Sequence, residues 1–185
     1  MTSKNDPAVC KRCALAGPTC CILTPGQEEF CFPLAVAEKD RIQELAPDQG
    51  GFALEPNSKA FVDMLLRLFP DERELVRSLF PENKFHFRLA VDKEGKCRFL
   101  GQNGCVVPLE ARPYYCRLFP FWMVGDQVTV FDMAACLARK EGVHRNGIMD
   151  LLGASPAQVR DLMGRLRLVW GLPPRQGMRP VKKGF

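Results

Sequence analysis

The chain has no apolar run approaching the roughly 18 residues that a membrane-crossing helix needs, and no membrane span is expected. Its first residues, Met1 to Val9, include Lys4, Asn5, Asp6 and Pro7 and lack the apolar stretch of a secretory signal, so a cytoplasmic protein is expected. Residues for hydrolytic chemistry are scarce. The four serines are Ser3, Ser58, Ser78 and Ser155; Ser58 and Ser155 read as helix caps, and none lies in G-x-S-x-G. Neither a phosphate-binding glycine loop nor H-E-x-x-H occurs, which removes nucleotide hydrolases of the P-loop type and zincin proteases. Of the two histidines, His86 is expected on the solvent face of a strand and His144 in a polar loop. Either could stand in for a cysteine as a metal ligand.

Charge excludes a further class. The net charge is +5, but Arg175, Arg179, Lys182 and Lys183 lie in residues 171–185 with no acid among them, so the remaining body is close to neutral. No nucleic acid is expected as a partner. At 185 residues, with 46% hydrophobic and 25% charged, the chain reads as one domain, residues 1–172, followed by a basic tail, 173–185.

What the chain does have is cysteine: nine residues, eight of them in two groups. Cys10, Cys13, Cys20 and Cys21 form C-x2-C-x6-C-C, and Cys97, Cys105, Cys116 and Cys136 run through the second half. A disulfide framework fits poorly in a chain without a secretory signal, and an odd count leaves one thiol over. Thiolates are strong, soft ligands, and two cysteines separated by two residues can turn both sulfurs onto one metal. The later spacing is too irregular for a zinc ribbon and lacks the tight run of bacterial ferredoxins. Adjacent residues in extended backbone face opposite sides. Either one of Cys20 and Cys21 ligates while the other packs, or the two serve different metal atoms. Cys31, between Phe30 and Phe32, is expected in the core.

The pattern around the cysteines sets the expected fold. Breakers Gly17, Pro18, Pro25, Gly26 and Pro33 mark residues 8–33 as a loop folded over a metal. Helices are expected over Leu34 to Ala46, with Glu38, Lys39, Asp40 and Arg41 mostly outside, and over Ser58 to Phe69. A short third helix follows Pro70 behind a capping box formed by Asp71 and Glu74. Phe85, Phe87, Leu89 and Val91 alternate with Lys84, His86, Arg88 and Ala90 as a half-buried strand, with Cys97 to Leu100 as its hairpin partner. The turn Gly101 to Gly104 and a hairpin over Phe119–Val124 and Val128–Phe131 come next. Ser155, Pro156 and Gln158 open a last helix that Gly171 stops. The expectation is a small, loop-rich α+β domain with helices flanking short antiparallel hairpins around a cysteine-ligated centre.

Val9-Cys-Lys-Arg-Cys13, Cys20-Cys21, Cys97-Arg-Phe-Leu100, Cys105, Glu110-Ala-Arg-Pro113 and Cys116-Arg-Leu-Phe-Pro-Phe121 together resemble the YkgJ-type cysteine-cluster family, described as zinc- or iron-chelating. The resemblance spans roughly residues 8–140; Cys136 departs from it, being followed by Leu-Ala rather than Pro-Gly. It implies a metal or iron-sulfur centre held by the eight grouped cysteines. The family it resembles also includes a flagellin lysine N-methylase, so the resemblance implies protein modification as a further candidate activity. Three functions are therefore expected in competition: an iron-sulfur or iron protein with redox or cluster-linked chemistry, a structural-zinc module that binds a protein partner, and a metal-dependent protein-modifying enzyme. Arg112 and Arg117 are placed to offset thiolate charge, or alternatively to pair with Glu110 or Asp132. Phe119, Phe121 and Trp122 can wall the centre from water.

Overall fold

The computed structural model describes residues 6, 8–17, 19–27, 31–48 and 50–175. Among these are eight α-helices and six short strands, paired as three antiparallel two-stranded ribbons. The expected α+β class is observed.

Local sequence explains the helices that hold the domain. α3 (Lys59–Leu68) starts where the Ser58 hydroxyl accepts the Phe61 N–H at 3.2 Å, and it buries Phe61, Val62, Leu65 and Leu66 on one side. α8 (Pro156–Val169) opens on a reciprocal cap: Gln158 N–H donates to the Ser155 hydroxyl, and Ser155 N–H donates to the Gln158 side chain. Its inward residues Val159, Met163 and Leu166 meet α3 residues, Trp122 and Trp170 in the larger of two hydrophobic cores. Ridges of apolar side chains alone would give α8 a wholly greasy inner face, yet Arg167 sits there at 1% exposure. Glu72 neutralises it through two hydrogen bonds of 2.5 and 2.6 Å, and the Pro173 carbonyl accepts two more, from Nε at 3.0 Å and Nη2 at 2.6 Å.

A smaller core gathers Leu34, Ile42, Leu89, Phe99, Val107 and Ala111 beneath α2 (Val36–Leu45). Strand β2 (Phe85–Leu89) supplies its edge and pairs with β1 (Phe52–Pro56) in the register Leu54 to Phe87. This corrects the expected partner, since Cys97 makes only an isolated bridge to Val91. The phase of β2 departs from expectation at Phe85, His86 and Arg88, while Leu89 is buried as expected. Phe85 is 62% exposed, whereas His86 and Arg88 are each 6% exposed. Both faces of this ribbon are covered, so simple alternation does not identify the solvent side: His86 stacks on Phe61 with ring centroids 3.8 Å apart, and Arg88 pairs with Glu55 at 2.6 Å. Burial likewise claims Glu38, expected outside, because its carboxylate accepts the N–H groups of Ala35 and Tyr114.

Two further corrections concern loops. The stretch expected to be loop from residue 8 contains α1 (Val9–Ala16), for no glycine or proline interrupts it before Gly17. After Pro70 the chain makes a 3-10 turn, Pro70–Glu72, before α4 (Arg73–Leu79), so Asp71 does not cap. The hairpin β5 (Phe121–Val124) with β6 (Gln127–Val130), and the tight pair β3 (Leu100–Gly101) with β4 (Gly104–Cys105), stand as expected. α5 (Tyr114–Leu118), α6 (Leu137–Gly142) and α7 (Arg145–Leu152) complete the described elements. Within the expected tail, the Pro173 carbonyl accepts from Arg167 and Arg175 approaches Asp71 at 3.4 Å. Residues 176–185 of the expected tail lie outside the described residues. No described helix is long and apolar enough to cross a membrane.

Candidate metal centre

Three backbone arrangements bring the two cysteine groups to one side of the domain. α1 carries Cys10 and Cys13 three residues apart, hence on one helical face. That helix packs against β4, where Gly104 leaves 3.7 Å between a would-be Cβ and the Lys11 backbone, and against α6, which begins after Cys136. Arg12 fastens α1 by reaching Glu141 on α6 at 2.7 Å and Asp6 at 2.6 Å.

Residues 21–23 then run antiparallel to 95–97. Cys97 N–H donates to the Cys21 carbonyl and Leu23 N–H to the Gly95 carbonyl, each at 2.8 Å, with Ile22 bridging Lys96. Gly95 has φ +79°, and a Cβ there would lie 1.9 Å from the Leu23 oxygen, so this approach requires glycine. Cys116 arrives on α5, whose first N–H, from Tyr114, is accepted by the buried Glu38 carboxylate at 2.8 Å. The thiols thus gather where the two cores abut: Cys136 belongs to the larger, Cys97 and Cys105 pack on the smaller, and Tyr115 touches both.

All nine cysteines are free thiols. Burial pushes the Cys10 and Cys105 thiols upward, each opposed by the Arg112 guanidinium, and lifts Cys97 to about 12. Cys116 is raised well above the ordinary thiol range by burial, then by Cys21, Cys97 and Cys105 nearby. Its surface is nonetheless open to solvent, because it looks into a cleft while protein surrounds it at longer range. Cys20 and Cys21 act as a pair: the hydrogen bond between them raises Cys20 and draws Cys21 down to about 7, with Thr19 and Arg112 adding to the latter. Cys21 is the thiol felt by Cys10, Cys20, Cys97, Cys105 and Cys116, which makes it the hub of the group.

The donor chemistry fits a soft metal or an iron-sulfur centre: free thiols are drawn from the N-terminal segment, the β3–β4 ribbon, α5 and the start of α6. As placed, no three His, Cys, Asp or Glu side chains among the described residues form a group that could hold a metal ion. Neither histidine joins the thiols. His144 is exposed ahead of α7, and His86 is committed to Asn57 and Phe61.

Several participants were not legible beforehand. Cys31, expected in the core, is half-buried beside Cys97 and Cys116, with its thiol pushed up to about 11 by burial. The Tyr115 hydroxyl is buried near those same three thiols and acts on the Cys31 thiol as a hydrogen-bond partner, which lowers its pKa against the effect of burial. Arg112 pairs with neither Glu110 nor Asp132: it donates to the Val107 and Cys105 carbonyls and is the cation acting on Cys10, Cys21 and Cys105. Asp132 is taken by Arg139.

A cleft of ≈ 1200 Å³ opens beside the thiols. Cys10 and Cys116 line it together with Arg112, Arg117, Phe119 and Phe121, and the first turns of α8 close the far side. Against known proteins, no family model, curated protein or solved structure matches the chain. The resemblance to the cysteine-cluster family therefore rests on the motifs themselves.

Proposed function

We propose that the chain is a metal-binding protein whose grouped cysteines, Cys10, Cys13, Cys20, Cys21, Cys97, Cys105, Cys116 and Cys136, hold an iron-sulfur cluster or iron for redox or cluster-linked chemistry. The observation that carries this reading is the meeting of both cysteine groups at one seam, with all thiols free and a guanidinium already set against them. When bound, such a centre supplies electron transfer at a potential set by charge and hydrogen bonding around its sulfurs.

The chain's own residues set those terms. Arg112 offsets accumulating thiolate charge, and the buried Tyr115 hydroxyl is a donor at the same place, set against the Cys31 thiol. Phe119 and Phe121 restrict water on the cleft side. Most of the thiols are held protonated by burial, so loading the centre must release protons and is favoured as pH rises. The cleft supports a reacting centre over a structural zinc site, which has its ligand positions closed by protein.

Anaerobic purification with a visible spectrum and analysis for iron, sulfide and zinc tests the proposal. A coloured protein containing iron that Cys116→Ala loses is expected. A colourless protein carrying stoichiometric zinc would replace this reading with the structural module.

A further inference from the structure

The cleft beside the thiols has an unbalanced charge. Its two acids are already neutralised: Asp6 is held by Arg12 at 2.6 Å and Asp161 by Arg165 at 2.8 Å. Its three lining arginines have no carboxylate partner among the described residues. Arg112 is spent on carbonyls and thiols. Arg117 lies against the Tyr114 ring with its guanidinium carbon 5.8 Å from the centroid, and neither it nor Arg160 donates a hydrogen bond to any described residue. Between these cations the walls are apolar: Leu109, Phe119, Phe121 and Leu162.

We infer that this cleft binds a small organic acid, with an oxyanion group on Arg117 and Arg160 and an apolar body against Phe119 and Phe121, next to the Cys10 and Cys116 thiols. Guanidinium groups suit carboxylate and phosphate geometry, and their cost of exposure is already met because both are reached by water. The space of ≈ 1200 Å³ is larger than the about 300 to 1,000 Å³ usual for small-molecule sites, so a molecule of metabolite size would occupy only the part between the arginines and the aromatic wall. The placement deepens the metal-centre reading, since the role of the acid as that centre's substrate rests on it, but binding itself does not require metal.

The test uses the full chain and 3-phenylpropionate as probe, with the neutral 3-phenylpropanol as its control, followed by calorimetry. The acid should bind at least about tenfold more tightly than the alcohol, and the double variant Arg117→Gln/Arg160→Gln should lose about that factor for the acid alone. Arg160→Gln, at an exposed position, serves as a second variant whose fold is not at risk, and circular dichroism checks both. Equal binding of acid and alcohol, no binding of the acid, or unchanged acid binding in the double variant each overturns the inference. Metal content is measured on the same samples. A metal-free protein that binds the acid would sink the metal-centre reading alone, and a metal-loaded protein that ignores it would sink this inference alone.

Discussion

Acid should weaken this domain through one side chain in particular, His86. Asn57 donates through its amide nitrogen to the Pro81 carbonyl at 2.8 Å, leaving its oxygen to accept from His86 Nδ1 at 2.9 Å. The imidazole is thereby fixed with its lone pair on Nε2, which is buried without a partner. Protonating Nε2 would create a charge and a donor with no acceptor, stacked on Phe61, and burial accordingly lowers the His86 pKa from 6.5 to about 4. The unfolded chain therefore binds a proton between pH 6.5 and about 4 that the folded chain refuses. Stability from this source is complete above pH 6.5 and is lost as pH falls through that window. The shift corresponds to about 3 kcal/mol in full, of which about 2 kcal/mol goes between pH 7 and pH 5. In urea denaturation this is a fall of roughly 1 M in midpoint. His86→Leu should be less stable at neutral pH, having lost the Asn57 bond, but should show a much flatter pH dependence. An unchanged acid loss in His86→Leu would refute the reasoning.

Cys31→Ala should lower metal content or alter the visible spectrum, since its thiol stands with Cys97 and Cys116; a spectrum and metal content identical to wild type would return Cys31 to simple packing. Arg167→Met should destabilise the fold in thermal or urea denaturation by about 1–2 kcal/mol, because it removes two hydrogen bonds from Glu72 and leaves that carboxylate with Arg175 alone at 3.6 Å, and Arg167→Met/Glu72→Leu should recover part of that loss. Deleting residues 176–185 should leave metal content and melting temperature unchanged, whereas a deletion from Pro173 should lower the melting temperature by removing the carbonyl that Arg167 grips; equal behaviour of the two truncations would show that this contact contributes nothing.

Helix limits were readable where the cap chemistry is local, as at Ser58 and at Ser155 with Gln158, because the side chain that starts the helix is adjacent to it. The β2 strand was recognisable as a strand for its alternation, but its phase was not. Which face is buried depends on α3 delivering Phe61 to His86, a contact between residues 25 apart in sequence that no local period encodes. Glu38 reads as a surface acid on its own helix and becomes a buried acceptor only when Tyr114 brings an unsatisfied N–H to it. For the thiols, the spacing identified which residues belong together. It carried no sign of Cys31 or Tyr115, whose roles come from the Phe32 ring stacking on Tyr115 at 5.1 Å and drawing two distant segments side by side.

The meeting of two separate cores has a consequence for how α1 is attached. α3, α8 and the β5–β6 hairpin can bury their apolar faces without the N-terminal segment beyond Val9, and α2 with β1 and β2 can form the smaller core from residues mostly between 34 and 111. Neither assembly step by itself brings all the sulfurs together. α1, which carries Cys10 and Cys13, places Val9 in the larger core and is held at its rim by Arg12 with Asp6 and Glu141. Salt weakens such an exposed network while leaving both cores intact. Ionic strength then becomes a handle on how firmly α1 sits against its neighbours, separate from whether the two cores are folded.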